Sequence, residues 1–232
     1  MVETGSEPGR RPIASFGAED PGRHAGGASR SGGGIKIGVL ALQGAFRAHA
    51  SRLAEFDVVT REVRRPDDLH HVDALVMPGG ESTTMSNLLT SSGLFDEVKA
   101  RLSDGLPVLG TCAGLILLAA EVLDGRPDQR SFGVLDVTAR RNGYGRQLDS
   151  FETDLEVANL DEPFHGVFIR APRVVAVGPA VEVLAEHDGD PVLVRQGRVI
   201  AAAFHPELTP DARLHRQFVD LVCHPDIWHP DL

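Results

Sequence analysis

The sequence predicts an α/β fold in which a parallel sheet is covered by helices on both faces. Near-continuous apolar runs of strand length occur at residues 36–41 and 74–77, a pattern typical of buried parallel strands. Apolar residues at helical spacing follow the first of these runs, at Phe46, Ala50 and Leu53. Because strand and helix alternate with short connections, the strands are expected to lie parallel and the helices to pack on both faces.

The two halves of the chain differ in pattern. In the first half, further strands are predicted at 58–59 and 108–109, and further helices at 85–89 and 95–102. The second half contains strand-like segments at 133–137, 166–169, 174–177, 181–184, 191–195 and 198–204, with a hairpin turn at 196–197. The last helix is predicted to begin at Thr209 and Pro210, as an N-cap followed by proline. Its apolar face would carry Leu214, Phe218, Leu221 and Val222.

Composition limits the classes of function. Residues 1–34 are rich in Gly, Ser, Arg, Pro and Glu without periodicity and are predicted to be a disordered extension, whereas 35–232 suit one domain. The net charge of −10 argues against a nucleic-acid partner, and the chain has no apolar stretch of membrane-spanning length. The two cysteines, Cys112 and Cys223, give neither a disulfide framework nor metal-ligand spacing, so we expect a cytoplasmic protein without a metal. Cys223 is interpreted as structural.

Residues 110–114, Gly-Thr-Cys-Ala-Gly, lie between a short apolar strand and an apolar segment at 115–120 that is predicted to be a buried helix. Strand, sharp turn and helix form a nucleophile elbow, with Cys112 in the place of the usual serine. The flanking glycines allow strand and helix to approach closely, and the helix N-terminus favours a thiolate. A cysteine in apolar surroundings is more often an inert core residue, so this motif alone leaves both interpretations open.

Residues 203–207, Ala-Phe-His-Pro-Glu, come where the last strand meets the last helix. Sites in open α/β sheets form beyond the carboxyl ends of the strands, which is where the elbow also lies. His205 could then accept the proton of Cys112, and Glu207 could fix the tautomer of the imidazole. The alternative is a surface histidine followed by a glutamate that suits a helix start. The remaining histidines are interpreted as having no partners, with His70 and His71 in a solvated loop.

Two polar loops could complete a site. In residues 77–83, Met-Pro-Gly-Gly-Glu-Ser-Thr, successive backbone N–H groups would form a nest for an oxyanion or, alternatively, for a phosphate. The Gly-Lys-Ser/Thr of a Walker loop does not follow. The loop at 141–147 carries Arg141 and Arg146, and Arg170 follows a later strand. These arginines could bind a carboxylate bidentately or could be ordinary surface residues.

Taken together, the elbow, the Gly79–Gly80 turn and the His205–Glu207 pair resemble the class I (triad) glutamine amidotransferases. One branch, the glutaminase subunits of pyridoxal 5′-phosphate synthase, is the most similar. The segments that carry this resemblance are 38–44, 141–142, 145–152, 168–172 and 204–209. The similarity runs from about residue 36 to about residue 223.

The resemblance implies a three-layer α/β/α glutaminase domain with a mixed, mostly parallel central sheet. The implied reaction converts L-glutamine and water into L-glutamate and ammonia without a cofactor. Cys112 would be the nucleophile, His205 the base and Glu207 its orienting carboxylate. Backbone N–H groups of Gly80 and Ala113 would form the oxyanion hole. The implied glutamine site comprises Gly80, Glu81, Ser82, Arg141, Ile169 and Arg170.

The resemblance also implies a partner. In the family, ammonia passes to a barrel-shaped synthase subunit, and the glutaminase is activated when that subunit docks. Gln43 would lie near this interface. Three alternatives stay open from the sequence: a glutaminase that serves another pathway, a non-catalytic subunit on the same fold, and a nucleotide-binding module that uses the 78–82 turn.

Overall fold

The computed structural model describes residues 34–141 and 150–224. Apart from Gly34, the predicted extension at 1–34 lies outside the described residues. So does most of the predicted loop at 141–147, including Arg146.

A mixed central sheet organises the described residues. Its strands are β1 (Lys36–Leu40), β2 (Val59–Val63), β3 (Ala74–Met77), β4 (Val108–Thr111), β10 (Glu182–His187), β11 (Asp190–Gln196) and β12 (Val199–Ala202). Their order across the sheet is β10-β11-β12-β4-β3-β1-β2. The strands β2, β1, β3, β4 and β12 are parallel to one another, whereas β11 is antiparallel to both of its neighbours. The mixed, mostly parallel sheet that the resemblance implied is therefore confirmed.

The helices form two groups. Their bounds are α1 (Phe46–Leu53), α2 (Pro66–Leu69), α3 (Ser82–Ser91), α4 (Leu94–Ser103), α5 (Ala113–Leu118) and α6 (Arg213–Cys223). Helix α1 packs against α6, whereas α3 packs against both α4 and α5. The predicted apolar face of α6 is buried, with Leu214, Phe218 and Leu221 each at most 2% exposed. Helix, sheet and helix layers thus follow from amphipathic segments that bury their apolar faces.

Two smaller sheets flank the central one within the described ranges. One contains β5 (Ala119–Leu123), β6 (Leu135–Arg140) and β9 (Arg173–Val177). The other is an antiparallel hairpin of β7 (Ser150–Leu155) and β8 (Phe164–Ile169). Strand β7, strand β5 and the four-residue helix α2 were not predicted from the sequence.

Two predicted helix boundaries are wrong. Helix α6 begins at Arg213 rather than at Thr209 and Pro210. Thr209 instead closes a 3₁₀ turn at Pro206–Leu208, because its hydroxyl donates to the carbonyl of Pro206 and accepts from the N–H of Asp211. The helix after the elbow ends at Leu118, and residues 119 and 120 open strand β5 instead. A fully apolar run has no periodicity that distinguishes helix from strand, so its length misled the prediction.

Candidate active site

The elbow places Cys112 between strand β4 and helix α5 in a strained backbone conformation. Its φ is 50° and its ψ is −104°, unusual for a residue with a side chain. The N–H of Cys112 donates to the carbonyl of Ala202 at 2.8 Å, which ties the turn to β12. A Cβ at Gly110 would lie 2.9 Å from the carbonyl carbon of Gly114, and a Cβ at Gly114 would overlap the carbonyl oxygen of Met77. The two glycines are therefore sterically required.

Sheet topology brings His205 to the elbow. Strands β4 and β12 are parallel neighbours with Thr111 opposite Ala202, so the residues that follow each strand emerge side by side. The N–H of His205 donates to the carbonyl of Val167 at 2.8 Å, and its Nδ1 lies 2.8 Å from Glu207 Oε1. Glu207 is only 3% exposed and sits in the 3₁₀ turn. The predicted base and its orienting carboxylate therefore do meet.

Gly79, in the turn after β3, lies against both His205 and Cys112. A Cβ at this position would overlap His205 Cε1 and would lie 3.3 Å from the Cβ of Cys112. The turn after β3, the elbow after β4 and the segment after β12 thus meet at one point. Only a residue without a side chain fits where the turn faces the other two.

Electrostatics favour an ion pair at this point. Burial disfavours the imidazolium of His205. Hydrogen bonds with Cys112 and Glu207, and the negative charges of these two groups, have a larger effect than burial, so the pKa of His205 is raised. Burial likewise disfavours the carboxylate of Glu207, but the electrostatic effect of His49 and the hydrogen bond from His205 keep its pKa below the usual value. A charged histidine beside a cysteine is the arrangement that supplies a thiolate nucleophile.

A cleft of about 350 Å³ opens from the thiol. Cys112 and His205 line it together with the whole predicted glutamine set, namely Gly80, Glu81, Ser82, Arg141, Ile169 and Arg170. Ala113 does not line the cleft; it is buried beside Cys112 as the first residue of α5. The Cys112 thiol faces the carbonyl of Ile169, with Sγ 3.9 Å from the oxygen. The predicted binding residues therefore share one cavity with Cys112.

Glu81 and Arg141 form the polar end of this cleft. Arg141 donates to Glu81 Oε1 at 2.7 Å and to Thr83 Oγ1 at 2.9 Å. Glu81 caps α3 by accepting the N–H groups of Thr83 and Thr84. Burial opposes its charge, but hydrogen bonds from Thr84 and Thr83, with the charge of Arg141, lower the pKa of Glu81 to about 2. Glu81 is therefore a fixed negative group, and it holds the guanidinium of Arg141 in place.

Gln129 supports this end from a loop in which the sequence indicated no function. Its Oε1 accepts hydrogen bonds from the hydroxyls of Ser82 and Thr83, at 3.4 and 3.1 Å. The N–H of Arg130 donates to Ser86 Oγ at 2.8 Å. The loop thereby holds the first turns of α3, which begins with the cleft residue Ser82. A polar residue in an irregular segment gave no periodic signal that could have revealed this contact.

Gln43 contacts the turn after β3. Its Oε1 accepts the N–H of Glu81 at 3.2 Å and would lie 3.3 Å from a Cβ at Gly80. Gly44, with a φ of 88°, faces the carbonyl of Gly79 so closely that a Cβ would overlap it. The segment after β1 therefore braces the backbone that was predicted to bind the oxyanion.

The interpretation that the other histidines have no partners is wrong. His49 on α1 and His215 on α6 are fully buried and lie 3.0 Å apart, from Nδ1 to Nε2. His49 Nε2 also lies 3.3 Å from Glu207 Oε2. His165 lies within 3.0 Å of both Glu152 and Asp154 on the exposed hairpin. For His49 a signal existed: it falls between Phe46 and Leu53 on the helix face that packs on the sheet, where a polar side chain needs a partner.

The described residues offer neither a metal cluster nor a membrane span. Among residues 34–141 and 150–224, no group of three or more His, Cys, Asp or Glu side chains is arranged to hold a metal ion. Over the same ranges, no helix has both the length and the apolar character needed to span a bilayer.

Comparison with known families gives one match over most of the chain. The model of the SNO glutamine amidotransferase family matches residues 39–224. The pyridoxal 5′-phosphate synthase subunit PdxT of Mycobacteroides abscessus is 56% identical over 186 residues, which cover 80% of this chain and 96% of that protein. PdxT of Thermotoga neapolitana is 50% identical over 189 residues, which cover 81% of this chain and all of that protein.

Solved structures show the same fold. A crystal structure described as a glutamine amidotransferase is 52% identical and superimposes with a TM-score of 0.76, covering 81% of this chain and 98% of that one. A chain of the PurLQS structure from Thermotoga maritima is 16% identical with a TM-score of 0.61, covering 82% and 99% of the two chains. At that identity the second similarity concerns the fold alone.

Proposed function

The chain belongs to the SNO glutamine amidotransferase family, and we propose that it is the glutaminase subunit of a pyridoxal 5′-phosphate synthase, which releases ammonia from L-glutamine. The observation that carries this proposal is the convergence of Cys112, His205 and Gly79 at the base of a cleft whose other end holds Arg141. A thiol alone would support many reactions. A thiol that lines the same cavity as a fixed guanidinium suits an amide substrate that also carries a carboxylate.

The reaction begins with the thiolate of Cys112, which attacks the carboxamide carbon of glutamine. The charge that develops on the carbonyl oxygen is stabilised by the N–H groups of Gly80 and Ala113. The imidazolium of His205 protonates the amide nitrogen, and the C–N bond breaks. Ammonia departs, and a glutamyl thioester remains on Cys112. Neutral His205 then takes a proton from water, which attacks the thioester and releases glutamate and the thiolate.

Glu207 keeps His205 productive through both steps. Its Oε1 accepts the Nδ1–H of the ring, so the other ring nitrogen faces the thiol and the substrate. The carboxylate also stabilises the imidazolium that forms in each cycle. The 2.8 Å separation and the burial of both groups support this role.

Substrate recognition falls to the polar end of the cleft. Arg141 and Arg170 offer guanidinium groups to the α-carboxylate of glutamine, and Glu81 offers a carboxylate to its α-ammonium group. Gly80, Ser82 and Ile169 shape the passage between this end and the thiol. Because Arg141 is already held by Glu81 and Thr83, little rotamer freedom is lost when the substrate binds.

The ammonia is consumed by a barrel-shaped synthase subunit, which docks near Gln43 and thereby activates the glutaminase. The bond from the N–H of Glu81 to Gln43 supports this assignment, because it links a residue near the interface to the backbone of the oxyanion site. Free, reduced thiols at Cys112 and Cys223 suit a cytosolic location.

The test is glutamate release by the purified chain with and without the cognate synthase subunit. We expect turnover to rise sharply when that subunit is added, and Cys112→Ala or His205→Asn to abolish it. Cys223→Ala is the matched control and should retain activity, because Cys223 lies on α6 away from the cleft. Stimulation by a different synthase subunit, with none by this one, would assign the chain to another pathway. Activity that survives both triad substitutions would refute the thiol mechanism.

A further inference from the structure

Two buried histidines lie directly behind the triad. His49 and His215 are both 0% exposed and come from helices α1 and α6. His49 Nδ1 is 3.0 Å from His215 Nε2. His49 Nε2 is 3.1 Å from Thr111 Oγ1 and 3.3 Å from Glu207 Oε2. One imidazole therefore contacts both the carboxylate of the triad and the residue that precedes the nucleophile.

The charge state of the pair follows from its surroundings. Burial lowers the pKa of His49. Burial also lowers the pKa of His215, and with the positive charges of His49 and Arg52 it brings that pKa to about 3. The charge of Glu207 opposes both shifts. Positive charge on His205 lowers the pKa of His49 further. Both rings are therefore neutral at neutral pH, and each carries one ring proton.

The positions of the two protons follow from the acceptors. A carboxylate can only accept, so Nε2 of His49 carries its proton and faces Glu207 Oε2 and Thr111 Oγ1. Nδ1 of His49 is then an acceptor, and it receives the Nε2–H of His215. This leaves a lone pair on His215 Nδ1, which has no hydrogen-bond partner among the described residues. The opposite tautomers would direct a lone pair at the carboxylate and bury an unpaired N–H on His215, which is costly.

Glu207 Oε2 depends on this arrangement. It is buried and has no hydrogen bond of good geometry within residues 34–141 and 150–224. The approach of His49 Nε2 at 3.3 Å is a close electrostatic contact, since the same N–H also points at Thr111. A buried carboxylate oxygen without such a dipole would lower its energy by turning or by taking up a proton.

From these contacts we propose that His49, held by His215, is a positioning residue of the triad: its N–H fixes the second oxygen of Glu207, so that the first stays on His205. The inference rests on the proposed function only in naming Glu207 as the orienting carboxylate. When the His49 dipole is lost, Glu207 accepts a proton at higher pH. His205 then loses its counter-charge, and the imidazolium that faces Cys112 is stabilised less.

The test uses the complex with the synthase subunit, and the variants His49→Phe and His49→Gln. Phenylalanine fills the space without a donor, whereas the amide of glutamine can again present an N–H near the position of Nε2. We expect His49→Phe to lower kcat about tenfold with little change in KM, and His49→Gln to restore most of it. The acid limb of the kcat–pH profile should move upward by about half a unit or more for His49→Phe. His215→Phe should give a smaller shift in the same direction.

A readout independent of glutamine separates this inference from the proposed function. In a Cys223→Ser background Cys112 is the one cysteine left in the sequence, so its rate of alkylation by iodoacetamide against pH reports the thiolate. His49→Phe should move the acid limb of this profile upward even if the natural substrate is not glutamine. Absence of turnover on glutamine, with that shift present, would reject the proposed function and keep the inference.

Leu53→Ala is the matched control for a purely structural effect. Leu53 is fully buried on the same helix as His49 but is four residues further along it. The substitution should lower the melting temperature and leave both pH profiles unchanged. If His49→Phe behaves in the same way, or if His49→Gln and His49→Phe are equally impaired, the positioning role is refuted. Should His49→Phe fail to fold, a wild-type pH profile in His215→Phe would also refute it.

Discussion

The two ends of the cleft are built in different ways. At the thiol end, Cys112, His205 and Glu207 are at most 8% exposed and follow the ends of adjacent parallel strands. At the other end, the Glu81 side chain is 41% exposed and the Arg141 side chain is 18% exposed. In the proposed reaction, burial would fix the geometry of the reacting groups, whereas charges near the surface would select the substrate at a smaller cost in desolvation. We therefore expect changes at the first end to act on kcat and changes at the second to act on KM.

The largest effect should come from Gly79→Ala. The added Cβ would overlap His205 Cε1, so the imidazole must move away from the thiol. We expect kcat to fall by about 100-fold or more, because displacement of a catalytic group by about 1 Å has that consequence. The measurement is glutamate release by the complex at saturating glutamine.

Gly105→Ala is the control for this substitution. Gly105 has a φ of 85°, so alanine there strains the backbone, but a Cβ would meet nothing within 4 Å. Its melting temperature should fall while kcat stays normal. A normal kcat in Gly79→Ala would show that His205 can move without loss of activity. The expected difference between the two ends, with effects on kcat at one and on KM at the other, would then be wrong.

A smaller effect is expected from Arg141→Lys. Lysine keeps the charge, but its three N–H groups lie on one nitrogen. It therefore cannot replace the planar guanidinium, which contacts Thr83 and Glu81 through two separate nitrogens. We expect KM for glutamine to rise about tenfold and kcat to change little, as one charge-assisted hydrogen bond is lost. Steady-state kinetics give both constants.

Arg140→Lys is the neighbouring control. The exposed Arg140 pairs with Asp124 and does not line the cleft, so its substitution should leave KM unchanged. A fall in kcat with an unaltered KM in Arg141→Lys would place Arg141 at the reacting centre instead.

A still smaller effect is expected on the stability of the fold, through the charge of Glu81 and its dependence on pH. Since its pKa falls from 4.5 to about 2 on folding, its charge stabilises the fold above the unfolded pKa, and this contribution is lost as pH falls from 4.5 towards 2. Because the side chain is 41% exposed, Glu81→Gln should cost only about 0.5–1 kcal/mol at neutral pH. The difference in melting temperature from the wild type should narrow between about pH 6 and about pH 3.5.

Thr84→Val gives an internal check on that result. Its hydroxyl donates to Glu81 Oε2 at 2.7 Å, and its loss should reproduce part of the effect with the same sign. A difference that widens as pH falls would contradict the assignment of a depressed pKa to Glu81.

The smallest effect should follow removal of residues 1–34, the predicted disordered extension. The described residues that line the cleft lie between Gly44 and Leu208, and we therefore expect kcat and KM of the complex to be unchanged. A large loss of activity would show that the extension takes part in function.

The sequence was most informative where chemistry dictates a residue type at a fixed position. Glycines around Cys112 and at Gly79 are forced by close backbone approach, and His205 with Glu207 follows from the strand order, so these were predictable. The support given by Gln129 to Ser82 and Thr83 was not, because a contact across 46 residues leaves no local pattern. The contact of His215 with His49 was equally unpredictable, because it arises only when α1 packs against α6. The start of α6 was misplaced because Thr209 suits a turn as well as a cap.

The position of β12 has a consequence for the timing of synthesis. This strand is the last of the sheet in sequence, yet it inserts between β4 and β11 in the interior of the sheet. While a chain still emerging from the ribosome lacks residues 199–205, Cys112 has neither β12 to hold the elbow through Ala202 nor His205 beside its thiol. If Cys112 is the nucleophile that we propose, it therefore cannot react with the help of His205 until almost the whole domain has been translated.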